Sequence, residues 1–444
     1  MKVLVLVDGE HYPPVTRWGI AAARAMGHEP LAALYVGGTE KIAAEGPPDL
    51  GLPTIVPEPG SERFVALGAA LDEVRPEAVL DLSDEPVLGY RERMELAAAA
   101  LERGVPYVGS DFRLDPPVWA APLPVPTLAV IGTGKRTGKT AIAGETARVA
   151  AAEGLNPMIV AMGRGGPPEP QVAEAGSVTV ESLIERVRRG EHAASDYLED
   201  ALFTGVTTVG ARRVGGGLAG MPFATNVREA GMVAAERGAG LVILEGSGSS
   251  IPPMPWDAGI LVAPAGVPTE YLTGYLGPYR ILRSDLFVIT MASGSHEPKH
   301  LLPFRSHVLR LRADARYVET DFRPEPYGEL RGKGVYLTTT APPEAASRQV
   351  QHLEAAHGCR VVGSSTRLAD RKGLNEDLDA AGEYDILVTE LKAAAVDVAC
   401  ERAMARGAGI VFADNRPVTT GGDGELTDLL RETCLLAVER HRRG

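Results

Sequence analysis

The sequence predicts an α/β protein built from two parallel-sheet domains. Three observations predict it. Apolar runs of strand length alternate with segments of helical spacing through most of the chain. A proline cluster, Pro116, Pro117, Pro122, Pro124 and Pro126, interrupts that alternation and marks a stiff, extended connection. Directly after it, a glycine-rich loop at residues 132–140 stands between an apolar strand and a helix. The domain boundary is therefore placed between residues 122 and 123.

Residues 1–122 read as an N-terminal Rossmann-like α/β domain. Lys2–Val7 is a continuous apolar run, as in a parallel strand buried on both faces. Val15–Met26 follows with helical spacing and stops at Gly27. Pro30–Val36 is a second strand, closed by Gly37 and Gly38. A helix over Glu62–Val74, a strand over Ala78–Leu82, a helix over Arg91–Arg103 and a strand over Pro106–Val108 complete a βαβ series. The series carries no phosphate-binding glycine pattern. Asp8-Gly9-Glu10-His11 lies where the first strand ends, the usual place for function in such sheets, although a solvated strand-end loop accounts for it more simply. Without a convincing site, this domain is a candidate for dimerisation.

Residues 123–444 form the second domain, with a nucleotide-binding part over 126–300. Thr127–Gly132 is a strand, Thr140–Glu153 an alanine-rich helix stopped by Gly154, and Asn156–Met162 the next strand. The interval before the following clear strand, Gly240–Glu245, is longer than a plain crossover requires. It holds helical segments Val180–Arg189 and Asp196–Phe203, then a Gly-Arg tract over Gly210–Gly217. The span of about 166–240 is read as an inserted helical lid. Strands Gly259–Ala263 and Leu286–Thr290 continue the sheet. The C-terminal part, 301–444, is α/β again, with strands Gly334–Thr338, Tyr384–Thr389 and Ile410–Ala413 and a last helix Leu426–Arg440. The sequence leaves open whether that part extends the central sheet or stands apart.

Composition excludes several classes. The net charge is −13 and the pI about 5.3, which argues against a nucleic-acid partner. An anionic ligand must then be captured by a local basic site against an acidic background. The three cysteines, Cys359, Cys400 and Cys434, are far apart, so neither a zinc ribbon nor a dithiol motif exists. Their sparse, odd count fits a reducing cytosol. The apolar start is too short for a signal peptide, and no run of about 20 apolar residues spans a membrane. A cytoplasmic enzyme is expected. The 37 Arg against 8 Lys, with 4 Asn and 3 Gln, is a thermophile tendency, although a GC-rich genome gives the same arginine bias. His296-Glu297-Pro298-Lys299-His300 is not read as a metal site, because Pro298 breaks the helix that would align the two histidines.

The chemistry is concentrated in Gly132-Thr133-Gly134-Lys135-Arg136-Thr137-Gly138-Lys139-Thr140. Its strand–loop–helix setting is that of a P-loop, so the second domain is expected to be a P-loop NTPase-type parallel-sheet core. Glycines let backbone N–H groups turn toward phosphates, and the helix N-terminus adds a positive dipole end. Lys139 would neutralise the β/γ-phosphates and Thr140 ligate Mg²⁺, with Ala141 in the first helical turn. The usual first glycine is replaced by Thr133, with Gly132 just before it. A second Mg²⁺ ligand is expected at a strand end, and Leu241-Val242-Ile243-Leu244-Glu245, followed by Gly246-Ser247-Gly248, supplies it. Lys135 and Arg136 add two cations within the loop. Arg164, Arg212, Arg213 and Arg228 stand beside glycines or turns, where a guanidinium fork can meet a phosphate. Lys392, after the strand Leu387–Thr389, is a further candidate phosphate contact.

The loop and the Leu-Glu-Gly-x-Gly turn resemble the dethiobiotin synthetase and cobyrinic acid amidase branch of P-loop proteins, with Ser247 and Ser249 as departures. That branch phosphorylates a carboxylate or carbamate, and the resemblance gives Lys139, Thr140 and Glu245 the roles above. The tract from Leu387 to Lys392 faintly resembles the C-terminus of the lipid A kinase, also a P-loop enzyme. Over nearly its whole length, with the Gly-Thr-Gly-Lys-x-x-Gly-Lys-Thr loop and Gly163-Arg164-Gly165-Gly166, the chain resembles the cyclic 2,3-diphosphoglycerate synthetase family. That resemblance implies an ATP-dependent ligase that closes 2,3-diphosphoglycerate into an intramolecular phosphoanhydride and releases ADP and phosphate. ATP and Mg²⁺ are the expected cofactors, with K⁺ a further candidate, and a homodimer is expected through the N-terminal domain. Two alternatives stay open. One is a carboxylate-activating ligase of the dethiobiotin synthetase type, against which the extra cations count. The other is a nucleotide-switched binding ATPase, which usually carries an Asp-based strand-end motif or clustered Cys or His.

Overall fold

The computed structural model describes residues 1–38, 49–191, 193–293 and 298–444, with backbone alone over 298–302. In chain order the first elements are β1 (Lys2–Val7), α1 (Pro13–Ala25), β2 (Glu29–Tyr35), β3 (Thr54–Ile55), α2 (Arg63–Val74), β4 (Ala78–Asp81), α3 (Tyr90–Glu102), β5 (Tyr107–Val108) and β6 (Arg113–Leu114). Then come β7 (Thr127–Gly132), α4 (Lys139–Ala152), β8 (Pro157–Gly163), β9 (Gln171–Ala173), α5 (Val180–Arg188), α6 (Asp196–Thr204), β10 (Thr208–Val214), β11 (Ala224–Thr225), α7 (Val227–Glu236), β12 (Leu241–Glu245) and β13 (Ala258–Pro264). The chain continues through α8 (Glu270–Thr273), α9 (Gly277–Leu282), β14 (Leu286–Thr290), α10 (Pro298–Leu311), β15 (Arg316–Pro326), β16 (Gly334–Thr338), α11 (Pro343–His357), β17 (Arg360–Ser365), α12 (Arg371–Ala380) and β18 (Ile386–Thr389). A π-helical turn at Ala395–Cys400, α13 (Glu401–Ala405), β19 (Gly409–Gly422) and α14 (Leu426–Arg443) close it.

Two compact units form. One contains Met1–Val118 with Pro268–Arg283 and Ser306–Ala313; the other contains Trp119–Val267, Ser284–Arg305 and Asp314–Gly444. The sequence reading placed both short inserts in the second domain. They group with the first because α9 packs on α3, where Arg283 lies 3.9 Å from Glu102.

The first unit is a six-stranded sheet, β3-β2-β1-β4-β5-β6, parallel except for the β5–β6 pair. Val3, Val5 and Val7 pack with Ile20, Ala33 and Ala78. The loop after β1 is structural: buried Asp8 accepts the N–H groups of Glu10, His11 and Asp84, at 3.0, 3.1 and 2.7 Å. His307 of α10 approaches Glu95 of α3 at 3.7 Å, and Arg310 pairs with Glu95 and, at 3.0 Å, with Glu62. Burial, with the charges of Arg310 and Arg91, pushes the His307 imidazolium from 6.5 down to about 4. The folded state therefore refuses a proton that the unfolded chain takes, and stability is lost as pH falls from about 6.5 toward about 4. His307→Gln is expected to flatten that limb of the melting-temperature profile. An unchanged limb would count against the assignment.

The second unit is one thirteen-stranded sheet running β11-β10-β8-β12-β7-β13-β14-β15-β19-β18-β16-β17, with β9 beside β10. The C-terminal part therefore extends the central sheet rather than standing apart. Strands β10 to β15 along this path are parallel, β15 and β19 are antiparallel, and the last four are parallel again. β7, β12 and β13 are buried at every position, as continuous apolar runs should be. The interval 166–240 contains the expected helices, α5 and α6. Its Gly-Arg tract, however, is strand β10 of the sheet rather than part of a helical lid. Gly210 is required there because a Cβ would lie 2.7 Å from the Tyr197 ring. The cysteines are buried thiols. The His296–His300 cluster lies outside the residues whose side chains are described. No helix among the described residues is long and apolar enough to cross a membrane.

Candidate active site

The Gly-rich loop leaves the C-terminal end of β7, the central strand between β12 and β13, and turns into α4. Two residues turn it through left-handed backbone, Arg136 (φ 60°) and Gly138 (φ 90°). At Gly138 a Cβ would lie 2.5 Å from the Phe322 ring of β15, so only glycine allows that approach. Thr290 Oγ1 donates to the Thr137 carbonyl at 2.7 Å and ties the loop to β14. Lys139 folds back over the loop, with Nζ donating to Gly134 O at 2.8 Å and to Thr137 Oγ1 at 3.2 Å. Burial pushes its ammonium down to about 8, opposed by the nearby carboxylates of Glu245 and Asp196. Lys135 and Arg136 are exposed and form no ion pair among the described residues.

Thr140 Oγ1 donates to Glu245 Oε1 at 2.7 Å, joining the first turn of α4 to the end of β12. Glu245 Oε2 is buried with no hydrogen-bond partner among the described residues. Burial pushes the Glu245 carboxyl up to about 7, with Asp196 adding to it and Thr140 and Lys139 opposing. An orphaned carboxylate oxygen beside a hydroxyl is a hard oxygen donor set, so these residues fit Mg²⁺. A cation there would restore the charged carboxylate.

The turn after Glu245 brings two arginines together. A Cβ on Gly248 (φ 61°) would lie 2.9 Å from Arg164 Nη2 and 3.2 Å from Arg213 Nη2. Arg213 is held by the carbonyls of Ser247 and Gly215, at 2.8 and 2.7 Å, while its Nε is buried and unpartnered. Burial, then the charge of Arg164, holds Arg213 below its ordinary value. Arg164 is exposed and makes no ion pair among the described residues. Alternation along β10 sends Arg212 to the opposite face, where its Nε donates to Gly166 O at 3.1 Å. Arg228 is turned to the Ala121 carbonyl at 3.0 Å. The structure therefore brings Arg164 and Arg213 together and leaves Arg212 and Arg228 apart from them.

Lys392 does reach the neighbourhood, 3.2 Å from Glu199 of α6. Burial works to lower it, but Glu199, Glu390 and Asp196 hold it above its ordinary value. Sequence reasoning missed the acids of α6. Glu199 is pushed up to about 8 by burial against Lys392, and Asp200 is raised by burial and by Glu245 and Glu199. Together with Thr140 and Asp414, Glu199 and Asp200 line a cavity of about 10 Å³, room for a single water. The available signal was Asp196, Glu199 and Asp200 on one face of α6, a spacing that more often marks a solvated helix face.

Three family descriptions match consecutive stretches of the chain. They are the N-terminal domain of cyclic 2,3-diphosphoglycerate synthetase over residues 2–115, its P-loop domain over 127–320 and its C-terminal domain over 326–416. A relative named cyclic 2,3-diphosphoglycerate synthetase from Rubrobacter xylanophilus is 48% identical over 435 residues, 97% of each chain. One of the same name from Methanothermus fervidus is 38% identical, covering 99% of this chain and 98% of its own. Among solved structures, HypB from Helicobacter pylori in complex with nickel is similar at a TM-score of 0.27 and 13% identity, over 44% of this chain and 79% of that one. With all three domains matched and relatives aligned end to end, the chain belongs to the cyclic 2,3-diphosphoglycerate synthetase family and is an enzyme with a nucleotide-binding P-loop.

Proposed function

We propose that the enzyme closes 2,3-diphosphoglycerate into cyclic 2,3-diphosphoglycerate, using ATP and releasing ADP and phosphate. The observation that carries this reading is the Arg164–Arg213 pair beside the Gly248 turn, directly after Glu245. With exposed Lys135 and Arg136 it offers more positive charge than one carboxylate needs, and enough for a substrate bearing two phosphates.

In this reading the γ-phosphoryl group passes from ATP to an oxygen of one substrate phosphate, and an oxygen of the other substrate phosphate then attacks the phosphorus so activated, breaking its bond to the bridging oxygen of the transferred group. The ring closes as inorganic phosphate leaves. Phosphates are already ionised near neutral pH, so no side chain must remove a proton. The chain's task is to hold mutually repelling anions in line. Lys139 moves from the Gly134 carbonyl to the β/γ-phosphates, while loop N–H groups and the start of α4 receive the remaining phosphate oxygens. Arg213, buttressed by two carbonyls, fixes one substrate phosphate, and Arg164 closes over it. When bound to Thr140 and Glu245, Mg²⁺ would supply charge neutralisation at the phosphoryl oxygens.

The test is ADP and phosphate release from Mg-ATP with and without 2,3-diphosphoglycerate, with phosphorus NMR on the products. Substrate-dependent release with a cyclic diphosphate resonance is the expected result. Arg213→Ala should then raise KM for the diphosphate about 10–100-fold, the worth of a charged hydrogen bond. A basal ATPase without stimulation would overturn the reading and redirect the search to carboxylate substrates or a protein partner.

A further inference from the structure

We propose that Glu325, His352 and His357 form a binding site for a divalent transition-metal ion of the zinc class, separate from the phosphate loop. Glu325 lies near the end of β15, and His352 and His357 lie on the last turns of α11. One donor atom from each falls within 4.8 Å of the others. Glu325 Oε2 and His357 Nε2 are 3.8 Å apart, and the two imidazole rings meet edge to face at 5.8 Å. Tetrahedral zinc with bonds of about 2.0–2.1 Å sets its ligand atoms roughly 3.4 Å apart. Binding would draw the three donor atoms together by side-chain rotation from within 4.8 Å.

The surroundings prepare these groups for a cation. His357 Nε2 is buried with no hydrogen-bond partner among the described residues, and such an orphan normally carries a desolvation cost. A metal ion would use its lone pair. His357 is the final residue of α11, at the negative end of the helix dipole. Glu325 is exposed, so a fourth position can take water.

Two imidazoles and one carboxylate select zinc, cobalt, nickel or copper over Mg²⁺. Occupancy would clamp α11 to β15, the strand whose Phe322 seats the phosphate loop at Gly138.

The full-length protein, stripped by chelator and held in excess Mg²⁺, is titrated calorimetrically with Zn²⁺ and separately with Co²⁺. One high-affinity Zn²⁺ per chain is expected, with a rise in melting temperature and a visible band from tetrahedral Co²⁺. His352→Ala and His357→Ala should each weaken Zn²⁺ binding at least tenfold and remove the Co²⁺ band. Glu325→Gln, at an exposed position, makes the same test if a histidine variant fails to fold. Absence of Zn²⁺ binding, or binding that these variants leave unchanged, would overturn the proposal.

Discussion

Lys139→Met is expected to lower ATP turnover by a factor of about 10²–10³, the worth of a placed charge at a developing anion. The variant should nevertheless keep its fold. Burial pushes the Lys139 ammonium below its ordinary 10.5, to about 8, so the folded state holds this proton less well than the unfolded chain does. A base depressed in this way works against folding increasingly as pH falls from about 10.5 through about 8, and fully at pH 7. Methionine removes that cost and keeps the buried stem. Melting temperature at pH 7 should hold or rise while turnover collapses. A parallel fall of both would mean that Lys139 serves structure. Differential scanning calorimetry beside single-turnover kinetics separates the two outcomes.

Glu245→Gln should raise the Mg²⁺ concentration needed for half-maximal turnover by at least about 10–100-fold. The amide still accepts from Thr140 Oγ1, so the join between α4 and β12 persists. What disappears is the carboxylate charge next to the orphaned Oε2 position. Burial raises this carboxyl from 4.5 to about 7, so in the metal-free protein the acid destabilises the fold progressively as pH rises from about 4.5 to about 7. The metal-free variant should melt higher than its parent at pH 8 and equally at pH 4. A Mg²⁺ titration curve superimposable on that of the parent would dismiss Glu245 as a ligand. Because Lys139 and Glu245 act on each other, the double variant should not show the sum of the two single effects.

The phosphate loop, its helix and the acid on β12 were legible because each is local: an apolar run, a glycine-lysine-threonine turn and a strand ending in Glu. Lys392 could be placed only after a strand, and its partner Glu199 comes from a distant helix. Arg212 and Arg213 were read as part of an inserted helical lid because the glycines around them mask a strand. Once β10 is recognised, its period of two allows only one of the pair to face Ser247. β15 was missed because Arg323, Pro324, Glu325 and Pro326 do not read as sheet. They are tolerated because β14 pairs only with Arg316–Glu319 and leaves the rest of that edge open. Most of β19 was missed as well, because only Ile410–Ala413 is apolar enough to announce itself.

The antiparallel join of β15 with β19 also decides where the chain can be cut. The stretch matched as a P-loop domain ends at residue 320, inside β15. A fragment ending there would lose Phe322 from above the loop glycine. It would also bare the remaining backbone of β15, stripped of β19, as an unprotected edge, the template for association between chains. The shortest piece able to keep the nucleotide loop in shape must run through Gly422, the residue of β19 that pairs with Val318.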